Sequence, residues 1–583
     1  MDDAFIKKLK AFAPIFKWLP DYTGDDLKYD IIAGFTVGIM LIPQGMAYAV
    51  LAGVNPIYGL YASVVPLVIY PIFGTSKHLS VGVVALGMLI VSAGVTNIAE
   101  PGSERYVQLV ILLTILTGIV QVIMYVARLG FMDNLLSKPV IVGFTSAAAI
   151  IIGASQLGHL LGIELPHTQF IYTLAHSLIM QINEIHVLTL IIGLVSVGMM
   201  LGMRTWKARL PAALIIVVLS TVLVYFFGWR EHGVQTVGKV PSGLPSPGLP
   251  TFSLEDFRRL ISTIITLTLI QFMNVISLGR VFAQKHKYSI RPNQELLAVG
   301  MANLVGSLFQ GLPVSGSFSR TAVNEQAGVR TSLSNFFAAV LIALTLLFFT
   351  PLFYYLPMPA LAAIIIVAAF GLIDKDEIVF LFKTKRRDGY IALFTFFTTL
   401  ILGIQEGILL GIGASLLIML IRSSRPNVAV LGHLEGSRSF RDIARNPDAR
   451  ELEGILILRV SASFSFNNAE YFKDFILEKS EEVDRKIHSV IIDGMSINDL
   501  DTTAVEALRT VIESLEEMNI KIYFTGLKGP VRDVMRRSGL MKELGEDHFH
   551  MSPHRAVLHI LKRLRSVDEG SEALEDYRDT TGG

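Results

Sequence analysis

Three serines alternate along one short stretch, Ser315, Ser317 and Ser319, and Arg320 follows directly. Serine hydroxyls can donate hydrogen bonds, and a guanidinium adds five N–H donors with a permanent positive charge. The surrounding sequence is apolar. A charge at that depth is costly to keep and marks function more often than packing. With Gly316 and Phe318 interleaved, residues 315–320 therefore read as a set of donors suited to an anion. The competing reading makes Arg320 one half of a structural ion pair, with Glu325 the available carboxylate.

A second stretch has the same character. Gly74-Thr75-Ser76-Lys77-His78-Leu79-Ser80-Val81-Gly82 interrupts an apolar region and leads into residues 83–96. Each stretch reads as an extended piece followed by a short helix. A helix of ~12 residues rises about 18 Å, roughly half of a bilayer core, so each would begin near the midplane. A helix start carries free N–H groups and the positive end of the helix dipole. Two such starts facing one another would favour an anion and repel a cation. Two kinked helices with no ligand are the plainer alternative.

The elements that position these groups follow from composition. The chain has 583 residues, 52% hydrophobic and 17% charged, with a net charge of +1 and no cysteine. Its mean hydropathy is +0.54. Soluble proteins carry about 25% charged residues. Residues 31–421 hold only 37 of the chain's 99 charges (50 Lys/Arg plus 49 Asp/Glu). That region contains fourteen apolar runs: 31–52, 57–73, 80–96, 107–127, 139–160, 187–203, 211–228, 260–279, 294–310, 316–328, 333–356, 359–373, 390–404 and 405–421. Many reach the ~20 residues of a spanning helix.

The two interrupted runs fall third in each set of seven, and the sets run in opposite directions. Broken segments at matching positions point to an inverted-repeat transport site. With an even number of spans both termini share a side. Loops on that side hold 16 Lys/Arg and the others five, which places both termini in the cytoplasm of a cell membrane. Residues up to Asp30 are polar, so no cleavable leader is expected. The near-neutral charge gives no footprint for nucleic acid. Without cysteine there is no disulfide or thiolate metal site, and no metal or other cofactor is expected. Gly-x-x-x-x-Gly-Lys-Ser/Thr, His-Glu-x-x-His and Gly-x-Ser-x-Gly are all missing, which argues against an enzyme.

Further residues carry a resemblance. Ile42-Pro43-Gln44-Gly45-Met46-Ala47-Tyr48-Ala49, Gly59-Leu60-Tyr61, residues 74–82, Pro292-Asn293-Gln294-Glu295-Leu296 and residues 316–324 resemble signatures of the SulP anion permeases. That family includes the animal pendrin/prestin-like carriers. The resemblance implies a mostly α-helical polytopic protein with a 7+7 inverted repeat, core and gate domains, elevator-like exchange of a small inorganic anion and a homodimer in the lipid bilayer. It implies a pocket lined by Gln44 and Tyr48, by backbone N–H groups at Val83 and Val84, and by Ser317, Phe318, Ser319 and Arg320. There are two departures. Val83 stands where the family often has Pro, and Asn274 where it commonly has an acid. An amide brings no charge and takes up no coupling proton. Exchange or uncoupled flux is therefore expected, with proton or sodium symport through another acid, such as Glu406 or Glu325, the alternative. An anion channel and a nucleobase permease are further rivals. The second would be expected to use acids in the eighth and tenth spans.

After a linker at 422–440, which holds an expected first strand at Val428–Leu431, residues 441–565 alternate strands and helices, an α/β pattern. Phe466-Asn467-Asn468-Ala469-Glu470 and residues 493–504 resemble the STAS domain of the same permeases and the bacterial anti-sigma-factor antagonists. In the antagonists a hydroxyl at the position of Thr502 is phosphorylated, while Asp501 can cap the helix regardless. Docking of a cytoplasmic protein or of a second copy is the other expectation. Residues 566–583 are polar and expected to be disordered.

Overall fold

The computed structural model describes residues 10, 12–134, 137–166, 168, 170–205, 212–239, 241–251, 253–481 and 487–565. The expected disordered tail, and most of the first eleven residues, lie outside the described residues. The chain forms two compact units, Met1–Ser415 and Leu416–Gly583.

Each of the fourteen apolar runs contains helix, the third and tenth opening on short extended pieces. The first half comprises α1 Gly24–Leu51, α2 Ile57–Tyr61, α3 Val65–Phe73, β1 Val81–Gly82, α4 Ala85–Val95, α5 Glu104–Val126, α6 Lys138–Ser155, α7 Leu157–Leu161, α8 Ile171–Met180, α9 Val187–Thr205 and α10 Ala212–Phe227. The second comprises α11 Leu254–Lys285, α12 Pro292–Ser307, β2 Ser315–Gly316, α13 Phe318–Gln326, α14 Ser334–Phe348, α15 Met358–Phe370, α16 Lys375–Thr384, α17 Arg386–Leu402 and α18 Ile404–Ser424, which runs on into the second unit. Among the described residues, six helical segments are long and apolar enough to cross a membrane. Two helices, α8 and α16, were not anticipated from the apolar runs.

Local chemistry sets the helix starts. Thr23 and Asp26 form a reciprocal capping box at α1, the Thr23 hydroxyl accepting from Asp26 N–H (3.2 Å) and the Asp26 carboxylate accepting from Thr23 N–H (3.0 Å). Small residues let the helices approach, the usual device where lipid removes the hydrophobic drive between spans. A Cβ on Gly59 would lie 1.9 Å from Gly45 O, and one on Gly143 would lie 2.1 Å from Ala392 O. These contacts seat α2 on α1 and α6 on α17.

The second unit carries one sheet in the order β4-β3-β6-β7-β8-β9, with β5 also paired to β3. Its strands are β3 Val428–Leu434, β4 Phe440–Asp442, β5 Ala449–Arg450, β6 Ile455–Val460, β7 Ser489–Asp493, β8 Lys521–Thr525 and β9 Phe549–His550. β6 to β9 run parallel and β3 is antiparallel to β6. Alternation along β6 splits its side chains between two cores. Leu456 and Leu458 pack with α19 Ala469–Ser480 and α20 Thr502–Glu517, while Ile455 and Ile457 pack with α21 Pro553–Arg565. The expected strand Val428–Leu431 forms as β3 and runs on to Leu434, so the sheet begins inside the 422–440 linker: Ala429 and Leu431 supply buried side chains that β6 needs on its open edge.

Candidate functional site

The two extended pieces pair with each other. β1 and β2 form a two-stranded antiparallel ladder with Val81 opposite Gly316 and Gly82 opposite Ser315. Ser317 N–H also donates to Ser80 O (3.1 Å). α4 begins after Val84 and α13 after Ser317, each without a side-chain cap. The first ladder bonds run from Met88 N–H to Val84 O and from Thr321 N–H to Ser317 O. The N–H groups of Ala85–Gly87 and of Phe318–Arg320 thus precede their helical ladders. Two short helices of 11 and 9 residues start from one shared ladder. Val84 is the N-cap residue of α4, immediately ahead of these groups, and Val83 precedes it. Val83 also contributes its carbonyl, which accepts from Arg320.

Arg320 sits at this junction and is fully buried. Its Nη1 donates to Val83 O (2.9 Å) and to Gln44 Oε1 (3.4 Å). Its Nε and Nη2 are buried with no hydrogen-bond partner. A Cβ on Gly82 would stand 3.1 Å from Nη2, so the glycine leaves room for the guanidinium. Glu325 is not its counterion. That carboxylate instead binds Lys285 (2.7 Å) and His286 (2.6 Å) at the other end of α13. A buried charge lacking a carboxylate partner pays an uncompensated desolvation cost, and two idle donors add to it.

The other expected residues divide. Gln44 and Tyr48 are buried one turn apart on α1, and Gln44 reaches Arg320. Ser315 is buried and spends its hydroxyl on Gln271 O (3.2 Å). Gly316 is buried in the ladder. Ser317 and Ser319 hydroxyls lie 3.3 Å apart. Phe318 is 61% exposed, its ring 6.1 Å from that of Phe282. Asn274 does not join Arg320. It lines a separate cavity of about 110 Å³ with Leu86, Phe144, Met273, Ser277 and Ile408. Leu86, in the first turn of α4, is among its lining residues. Thr502 is exposed at the start of α20, where Asp501 caps Ala504 N–H (2.9 Å) and accepts from Phe466 N–H (2.7 Å).

Residues that hold the junction escaped the sequence reading. Glu295, fully buried, accepts from Thr75 N–H (2.7 Å), Thr75 hydroxyl (2.5 Å), Ser76 N–H (3.1 Å) and Tyr70 hydroxyl (2.8 Å). It fixes the turn leading into β1. Asn335 takes Val81 N–H (3.1 Å) and donates to Leu79 O (2.9 Å), and Thr321 takes Ser80 N–H (3.0 Å). On the β2 side, Asn303 accepts from Val314 N–H (2.8 Å) and donates to Gln121 and Gln271. Both extended pieces are thus held by buried side chains, as their backbone groups require away from water. Their signal was visible: carboxylates and amides inside apolar runs.

Comparison with known proteins follows this geometry. Residues 27–395 match the Sulfate permease family and residues 446–556 the STAS domain. "Sulfate transporter 4.1, chloroplastic" of Arabidopsis thaliana is 36% identical over 95% of this chain and 83% of its own. A probable sulfate transporter of Mycobacterium tuberculosis is 33% identical over 94% of this chain and 98% of its own. Among solved structures, the murine Solute Carrier 26 family member A9 anion transporter in the inward-facing state superposes with a TM-score of 0.86 at 23% identity, covering 96% of this chain and 95% of that one. The transmembrane domain of a cyanobacterium bicarbonate transporter superposes with a TM-score of 0.59 at 22% identity, covering 68% of this chain and 98% of that one.

Proposed function

Because the chain belongs to the sulfate permease family, we propose that it moves a small inorganic anion (a sulfate-like oxyanion, bicarbonate or chloride) across a membrane. The observation that carries the reading is Arg320, fully buried between two half-helix starts with Nε and Nη2 unpartnered. An anion there would accept from the guanidinium and from N–H groups of Phe318–Arg320 and Ala85–Gly87, and would supply the missing countercharge. Gln44, Tyr48, Ser317, Phe318 and Ser319 complete the pocket in this reading. Ser315 supports it from behind through its bond to Gln271 O.

Transport is by elevator-type alternating access, in which a core bearing α4 and α13 moves against a gate. In this reading the sliding seam runs through the cavity shared by Leu86, Phe144 and Ile408, whose presence there supports it. Asn274 makes the process exchange or uncoupled flux, because the seam then holds no acid that could carry a coupling proton. The protein works as a homodimer in a cell membrane with both termini in the cytoplasm, and the STAS unit offers a docking surface with Thr502 at its rim.

A competition panel of labelled sulfate, bicarbonate and chloride in proteoliposomes tests this. Uptake of at least one anion is expected, lost in Arg320→Ala and reduced in Ser317→Ala. Undiminished uptake in both variants would overturn the site. Strong accumulation driven by an imposed pH gradient, persisting in Asn274→Ala, would overturn the uncoupled mode.

A further inference from the structure

A cavity of about 610 Å³ has a lining that does not include Arg320. Its wall includes Arg230, Gln235 and Thr236 from the loop after α10, His159 from α7, and Val50 and Gly53 at the end of α1. No Asp or Glu lines it. The neighbouring Glu100 and Glu231 are exposed and form no part of the wall. Arg230 makes no ion pair among the described residues, and its guanidinium is held over the Tyr354 ring at 4.3 Å. Stacking fixes the cation at the rim while leaving its edge donors to a ligand. The Gln235 amide and Thr236 hydroxyl add neutral donors.

A second, smaller cavity of about 70 Å³ shares Val50 and His159 with this one. It runs along α4 past Asn97, Ser92 and Leu89, one turn short of Leu86 in the central cavity. Gln156 also lines it, with its side-chain oxygen buried and unpartnered. The two smaller cavities thus both border α4, the Arg230 cavity meets the middle one at Val50 and His159, and that middle one is lined by Ser92, Thr96, Asn97 and Gln156, polar groups able to take up water or an ion.

We propose that the vestibule at Arg230 is an anion-capture site, where a small inorganic anion is held before it passes down α4 toward Arg320. The inference rests on the transport reading of Arg320 and adds a second station to it. A positive, acid-free cleft with low-dielectric walls raises the local anion concentration and the on-rate. Such a site acts on capture from one face alone and not on the maximal rate.

The test uses the full chain in proteoliposomes, with labelled sulfate and labelled chloride run in parallel. Orientation is fixed by impermeant labelling of one introduced cysteine, since the native chain has none. At low salt, Arg230→Glu is expected to raise KM at the Arg230 face by about tenfold. KM at the opposite face and the maximal rate stay within about twofold, and Arg230→Lys, which keeps the charge but loses the stacked fork of donors, falls between wild type and Arg230→Glu. Near 1 M salt the difference disappears, because the screening length falls to about 3 Å. Unchanged KM at low salt, in a variant that melts like wild type, would overturn the capture site and leave the central reading standing. An equal rise at both faces would overturn it too. A wild-type chain that moves neither anion removes both.

Discussion

Replacing Arg320 with Met should make the empty protein no less stable while abolishing its response to anions. The methionine keeps volume and removes the charge. Two hydrogen bonds are lost, to Val83 O and Gln44 Oε1. The charged donor makes these worth about 1.5–3 kcal/mol apiece at most, and the longer one less. Against that stands the desolvation of a fully buried cation with no carboxylate partner, several kcal/mol in real proteins. The balance in anion-free buffer is near zero or a gain of about 1–3 kcal/mol. For binding, an anion ~4 Å from the guanidinium at an effective dielectric of about 20 loses about 4 kcal/mol. The remaining helix N-termini recover part of this, so affinity should fall at least about 100-fold. Thermal unfolding in detergent, with and without sulfate, reads both effects. Sulfate at ten times its Kd stabilises wild type by about 1.4 kcal/mol and should leave the variant unmoved. A variant that melts well below wild type without anion, yet still gains stability from sulfate, would refute the argument.

Other outcomes follow from the same geometry. Glu295→Ala strands four donors, costing roughly 4–12 kcal/mol at about 1–3 each, and should block folding, whereas Glu295→Gln keeps an acceptor and should remain transport-competent at a lower melting temperature; equal melting of both with wild type would contradict its role. Gly59→Ala places a methyl 1.9 Å from Gly45 O and should lower expression and thermal stability, readable by size-exclusion fluorescence. Asn274→Asp should make sulfate uptake respond to a pH gradient that leaves wild type indifferent. In the STAS unit, burial pushes the Asp493 carboxyl above its ordinary range, partly countered by Met495 N–H at 3.3 Å. A raised folded pKa contributes stability below the unfolded value of about 3.9, lost as pH rises through the folded one. Asp493→Asn should therefore slow hydrogen exchange of β7 at pH 7, with the advantage vanishing below about pH 4.

Much of this protein was legible in one dimension because hydropathy is a local property. A run of apolar residues must become helix in lipid wherever it sits, so the fourteen runs could be placed without knowing their neighbours. The same locality exposed the two broken segments, since Gly, Ser and Val in succession favour extended chain over helix. It also exposed Arg320, whose charge is conspicuous in an apolar stretch. In the STAS unit the alternation of Ile455, Leu456, Ile457 and Leu458 announced a strand buried on both faces.

Pairing was decided only in three dimensions. Nothing in residues 81–82 or 315–316 says that they bond to one another across more than 230 positions. That choice depends on Glu295 and Asn303, both presented from α12, and on Asn335 from α14. Likewise, Glu325 was the nearest carboxylate to Arg320 in sequence, but α13 carries the two to opposite ends. Five residues of helix turn a neighbour in the chain into a separate site, and Arg320 is left with no countercharge of its own. The sequence alone sets which groups lie within the membrane, because transfer from water depends on each residue's own chemistry. Which of those groups remain unpaired depends on how distant helices meet, and that is a property of the folded chain.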